Sequence, residues 1–150
     1  MMTFSSVWPA SRFSASEARM RTSAAAPSVT GDHRPPVSIL KPLKGVDADL
    51  ETNLESFFDL DYPAYEIVFG VQNPADAGLE VARRVAARHP GIVVHLVAGG
   101  PQIGPNRKVN NLANLLRHAR HDTLLISDSN VRVRPGYLAD LVGNLERPGV

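Results

Sequence analysis

The stretch LLISDSNVRV, Leu124 to Val133, decides how the rest of the chain is read. Leu124 to Ser127 are apolar or small, as in a strand buried on both faces, and they run straight into Asp128, Ser129 and Asn130. Asp, Ser and Asn are also ordinary turn formers. A turn has no need of so abrupt an apolar run before it. A strand of a parallel sheet does end in this way, because such sheets bind ligands beyond the carboxyl ends of their strands.

The elements before and after it supply that sheet. VSILK (37–41) opens on Pro-Pro and reads as a strand. A helix follows, with Asp47 able to cap it and Leu50, Leu54, Phe57 and Phe58 on one face. EIVFGVQ (66–72) is the second strand. The next helix places Leu79, Ala82, Val85 and Ala86 together and ends before Pro90. IVVHLVA (92–98) is the third strand, stopped by Gly99, Gly100 and Pro101. A third helix sets Val109, Leu112, Ala113 and Leu116 on one side, TLLIS (123–127) is the fourth strand, and Pro135 opens a last helix. Strands alternating with helices imply right-handed βαβ units. The fold class is therefore α/β, a Rossmann-like, mostly parallel sheet with helices on both faces.

Composition excludes more than it selects. The 150 residues are 43% hydrophobic and 21% charged, as in ordinary globular proteins, and the formal charge of +1 gives no reason to expect nucleic acid. Cysteine is absent, which removes disulfides and thiolate metal sites. No apolar run is long enough to cross a membrane as a helix. Residues 1–36 are rich in Ser, Ala, Arg and Pro and show no period, so they are expected to be a disordered or targeting-like tail outside the fold. The folded unit is expected over residues 37–150.

The chemistry is expected at the strand ends. KPLKG (41–45) offers Lys41 or Lys44 to a phosphate, or is a plain strand-to-helix turn. Asp76 reads as a helix N-cap, or as an acceptor for a base N–H such as N3–H of uracil. GGPQIGPNRKVNN (99–111) is neither the dinucleotide nor the P-loop pattern. Lys108 at a helix start is either solvated or shares that end with an anion. Asp128 and Asn130 point the same way along an extended segment, and a carboxylate with an amide oxygen suits Mg²⁺ or Mn²⁺.

Four segments, VSILKPLKGVD, NLESFFDLDYPAYEIVFGVQ, GPNRKVNNL and ISDSNVRVRPGYL, together resemble the start of the glycosyltransferase family that contains ceramide glucosyltransferase. The likeness is greatest to its bacterial members associated with hopanoid synthesis. It implies the first half of a GT-A fold and a UDP-sugar donor (UDP-glucose or UDP-N-acetylglucosamine). It also implies metal-dependent transfer to a lipid hydroxyl, hopanoid or ceramide-like. By the same resemblance Asp76 lies near the uridine, Lys108 faces the donor phosphates, and Asp128 with Asn130 forms a DxD-like pair at ribose and metal. Asn130 is a departure that leaves less fixed charge on the metal.

The family's third aspartate, its expected general base, and its Q/R-x-x-R-W motif have no match, since the one tryptophan is Trp8. The chain is therefore expected to be the donor-binding half, marginally stable and inactive by itself, with the base beyond Val150. Family members carry membrane segments with the catalytic domain on the cytoplasmic side; this chain shows none and is expected in the cytoplasm. The alternatives are a non-catalytic nucleotide-binding fragment or pseudoenzyme, and a receiver-like signalling domain. The latter would need acids after its first and third strands, where this chain has Lys41-Pro42 and Gly99-Gly100.

Overall fold

The structure, a computed structural model, describes the backbone of residues 5–9 and all of residues 34–145. Among the described residues five strands and four α-helices, the first followed by a 3-10 turn at Ser56–Phe58, occur in chain order. The strands are β1 (Ser5–Pro9), β2 (Val37–Leu43), β3 (Tyr65–Val71), β4 (Val93–Ala98) and β5 (Thr123–Ser127). The helices are α1 (Leu50–Glu55), α2 (Ala77–Ala87), α3 (Arg107–Leu116) and α4 (Tyr137–Leu145). Strand order is β1-β5-β2-β3-β4.

The chain winds outward through β2, β3 and β4, all parallel, then crosses back to place β5 on the other side of β2. Strand order thus reverses between β2 and β5, where a doubly wound sheet opens a crevice. β2 pairs with β3 along its whole length, but with β5 only from Val37 to Leu40. Pro42 therefore falls beyond the β5 ladder, at a place where a strand tolerates a residue with no N–H.

Alternate residues of β2 and β3 serve two cores. Ile39, Leu43, Ile67, Phe69 and Val71 join Leu54, Phe57, Val85, Leu138 and Val142 under α1, α2 and α4. Leu40, Val68 and Val97 meet Leu115 under α3.

Three sequence expectations need correction. The first concerns residues 1–36, of which Ser5–Pro9 form a strand antiparallel to β5, from Ser5↔Ser127 to Pro9↔Thr123. An open edge of backbone groups accepts any short extended segment, so no side-chain pattern announces it. Residues 10–33, and with them the rest of the tail expectation, lie outside the described residues, as do 146–150. The second is Asp47, which caps no helix. Its Oδ1 accepts the Asp49 N–H at 3.2 Å, a local turn, and α1 starts at Leu50. The third is α3, whose buried face is Asn110, Asn111, Asn114 and Leu115, while Val109 is half exposed.

The amino ends of the strands close on a polar network. Glu66, 1% exposed, accepts from Ser38 Oγ at 2.7 Å and from the Arg120 N–H at 2.7 Å, and its Oε2 lies 3.0 Å from His95 Nε2. Ser38 Oγ in turn accepts the His121 N–H at 3.1 Å. Burial alone would raise the Glu66 carboxyl, but the Arg120 N–H, Ser38 and His95 bring it below the usual carboxylate range. Its folded value is the lower one, so its contribution is present above the unfolded value of about 4.3 and is lost as pH falls through the folded one. Glu66→Gln should cost about 1–3 kcal/mol at neutral pH. It should also flatten the acid side of the stability curve, measured by urea unfolding from pH 3 to 7.

Candidate functional site

Beyond the last β2–β5 pair the strands part, and a cleft of ≈ 830 Å³ opens between them and the first turn of α3. Asp76, Lys108, Asp128 and Asn130 all line it, although they come from three different strand ends. Lys44 and Arg107 line it as well. Lys41, offered by the sequence as an alternative to Lys44 at a phosphate, lies instead in the core beneath the cleft.

Asp76 holds two pieces of backbone. Its Oδ1 accepts the Gly78 N–H at 2.8 Å, capping α2, and both its oxygens accept the Gly45 N–H, at 3.0 and 2.9 Å. Gly45 has φ +70°, which glycine adopts without penalty. The N-cap reading of Asp76 is thus correct, and the same carboxylate ties the β2–α1 loop to the second strand end.

Asp128 stands where β5 ends. Its Oδ1 accepts from Lys108 Nζ at 2.8 Å, and its main-chain oxygen accepts from Lys41 Nζ at 2.8 Å. Burial pushes the Lys41 ammonium down to about 7, against the opposing pull of Asp128. Asn130 is exposed at the rim of the cleft.

Sequence reasoning missed the asparagines of α3. Asn106 caps the helix, accepting from the Lys108 and Val109 N–H groups. Asn110 Oδ1 accepts the Ile103 and Gly104 N–H groups at 2.9 and 3.0 Å, and its Nδ2 donates to the Gly104 carbonyl. Asn111 Nδ2 donates to the Gly70 carbonyl at 3.0 Å. Asn111, tied to β3, lines the cleft, while Asn106 and Asn110 fix the helix start and the loop that leads to it. The signal was the spacing 110, 111, 114, 115, a helical face hidden because three of its four residues are polar.

A divalent cation fits the donor set. Among the described residues no three His, Cys, Asp or Glu side chains gather into a metal cage. One carboxylate and one amide suit a hard ion that keeps waters and phosphate oxygens as its remaining ligands.

The fold is that of GT-A glycosyltransferases. A mannosyltransferase from Pyrobaculum calidifontis, solved in complex with GDP-Man and Mn2+, superposes with a TM-score of 0.68 at 26% identity, over 94% of this chain and 41% of that one. S. aureus TarS 1-349, in complex with UDP-GlcNAc, shares the fold with a TM-score of 0.56 at 17% identity, over 74% of this chain and 31% of its own. Residues 3–150 match the family model of glycosyl transferase family 21, and the chain belongs to that family. Ceramide glucosyltransferase 1 of Caenorhabditis elegans is 39% identical over 107 residues, and the ceramide glucosyltransferase of Komagataella phaffii 39% over 115. These matches take in 71% and 74% of this chain but 23% of each relative. Among the described residues no helix is long and apolar enough to cross a membrane.

The two roles of Asp76 separate by substitution. Asp76→Ala should cost about 1–2 kcal/mol through the lost cap, and Asp76→Asn, an equally good cap, only a few tenths. Urea midpoints of the two variants measure the difference.

Proposed function

We propose that this chain is the donor-binding half of a glycosyltransferase that passes a sugar from a UDP-sugar to a lipid hydroxyl. The observation that carries this is the convergence of Asp76, Lys108, Asp128 and Asn130 on one cleft at the reversal of strand order. In this reading the ribose lies toward Asp128 and the base toward Asp76. Asp76 also builds the wall there by holding the loop at Gly45. A carboxylate offers about four lone-pair sites, so Asp76 retains capacity for one more N–H, such as N3–H of uracil.

Lys108, with Lys44 and Arg107 on the same cleft, offers positive charge to the diphosphate. Asp128 with Asn130 would hold Mg²⁺ or Mn²⁺, which supplies charge to offset that of the departing diphosphate. The ammonium of Lys108 already sits on Asp128 Oδ1, so this carboxylate is placed to take a cation. The donor and metal of the mannosyltransferase and the donor of TarS support a nucleotide-sugar here. The names of the curated relatives support a lipid acceptor, ceramide-like; a hopanoid rests on the sequence resemblance alone.

The acids on the cleft, Asp47, Asp76 and Asp128, each already accept a hydrogen bond. That favours a site which binds the donor and takes its proton acceptor from elsewhere in the protein. The same observation favours the second reading, nucleotide binding without catalysis. Transfer of labelled sugar to ceramide and to a hopanoid alcohol by the longer protein separates the two.

Calorimetric titration with UDP, with and without Mn²⁺, tests the donor site. Binding should require the metal, and Asp128→Ala should weaken it at least about tenfold, the loss expected for one charge-assisted contact. A folded chain that takes up no UDP would overturn the assignment. Lys108→Met should weaken UDP by a similar factor, about 1.5–3 kcal/mol, while leaving the urea midpoint unchanged.

A further inference from the structure

Lys41 is a lysine in the middle of an apolar face. Its neighbours on that side of β2, Ile39 and Leu43, belong to the large core, and Lys41 itself is 0% exposed. Its Nζ lies 3.7 Å from the centre of the Phe57 ring, 3.2 Å from Ser127 Oγ and 2.8 Å from the Asp128 carbonyl oxygen. A buried ammonium is costly, and an apolar side chain of equal volume is often as stable or more so. Core packing therefore does not account for a lysine here.

What does account for it is where the ladder stops. β2 and β5 exchange backbone hydrogen bonds as far as Leu40↔Ile126, and the residues beyond have no such register across the gap. The Lys41 side chain reaches over that gap to the first two residues of the strand end. The Asp128 carbonyl accepts from Lys41 Nζ at 2.8 Å, from the Val131 N–H at 3.3 Å and, at the long distance of 3.5 Å, from Ser127 Oγ, so the start of the turn is held from behind and from its far side, with Lys41 the shortest contact.

We propose that Lys41 is a positioning residue: it fixes the Asp128 backbone across the strand gap so that the Asp128 carboxylate faces the cleft. This deepens the donor-site reading and rests on it for its consequence, though not for its geometry. The ammonium itself does not line the cleft, so it acts on the donor only through Asp128.

Lys41→Met tests the idea because methionine fills the same volume without a donor. Two readouts are taken on the full chain: amide hydrogen exchange, and UDP titration with Mn²⁺. The variant should fold with a urea midpoint at or above that of the parent. The Val131 amide should exchange about tenfold faster, the factor expected for one charge-assisted hydrogen bond, while β2 and β3 amides keep their protection. Metal-dependent UDP affinity should fall by a similar factor. A variant that fails to fold would make Lys41 a structural residue and overturn the proposal, as would unchanged Val131 exchange or parental UDP affinity. If the parent itself binds no UDP, the donor reading falls, and the exchange result alone decides whether Lys41 positions the turn.

Discussion

β2 keeps β3 as a hydrogen-bonded neighbour through Leu43 but loses β5 after Leu40, and the three residues in between depend on that difference. Lys41 spans the gap with its side chain, Pro42 brings no N–H to a ladder one strand short, and Leu43 forms part of the cleft wall. A sheet continued at full width would bury these backbone groups and leave nowhere for a ligand. The cleft is thus a product of register, set by the pairing of β2 with two neighbours of different reach.

The two ends of the sheet hold different sets of buried polar groups. At the amino ends Glu66, Ser38, His95 and the Arg120 and His121 amides satisfy one another, which is how a buried carboxylate is kept without loss of stability. Of the four buried side-chain atoms without a partner among the described residues, Gln72 Oε1 and Asn111 Oδ1 belong to residues that line the cleft, while Asn114 Nδ2 lies on the inner face of α3 and Tyr65 OH on the first residue of β3. Unsatisfied groups of this kind are costly and concentrate where a site has uses other than stability.

The same contrast explains what the sequence revealed. Short apolar runs between helical spacings located every parallel strand to within two residues, because strands buried in a parallel sheet are apolar throughout. TLLIS matched at both ends, with its oxygen-bearing sequel in the cleft. Three features escaped. β1 lies on an open edge that accepts any short extended segment, so no period in the sequence marks it. The inner face of α3 is amide-rich, so a search for apolar spacing selected Val109, which is exposed, with Leu112, Ala113 and Leu116, which are only partly buried, and passed over the buried asparagines. Lys41 looked like a solvated or phosphate-facing cation, since nothing in KPLKG tells which lysine points into the core. Strand alternation could have told it, because Lys41 shares the parity of Ile39 and Leu43.

That parity separates two lysines that both hold Asp128. Lys108 meets the carboxylate from an exposed position, its side chain 56% accessible and that of Asp128 25%. A pair of that kind is worth about 0–1 kcal/mol and is readily given up to a better partner. Lys41 meets the carbonyl of the same residue from inside the core, where its ammonium has no water to return to. The backbone of Asp128 is therefore held by a contact that cannot be exchanged, and its carboxylate by one that can. In the proposed donor site, where Asp128 would receive a cation while Lys108 turns to an anion, both are needed: a fixed origin, and a counter-ion that leaves at little cost.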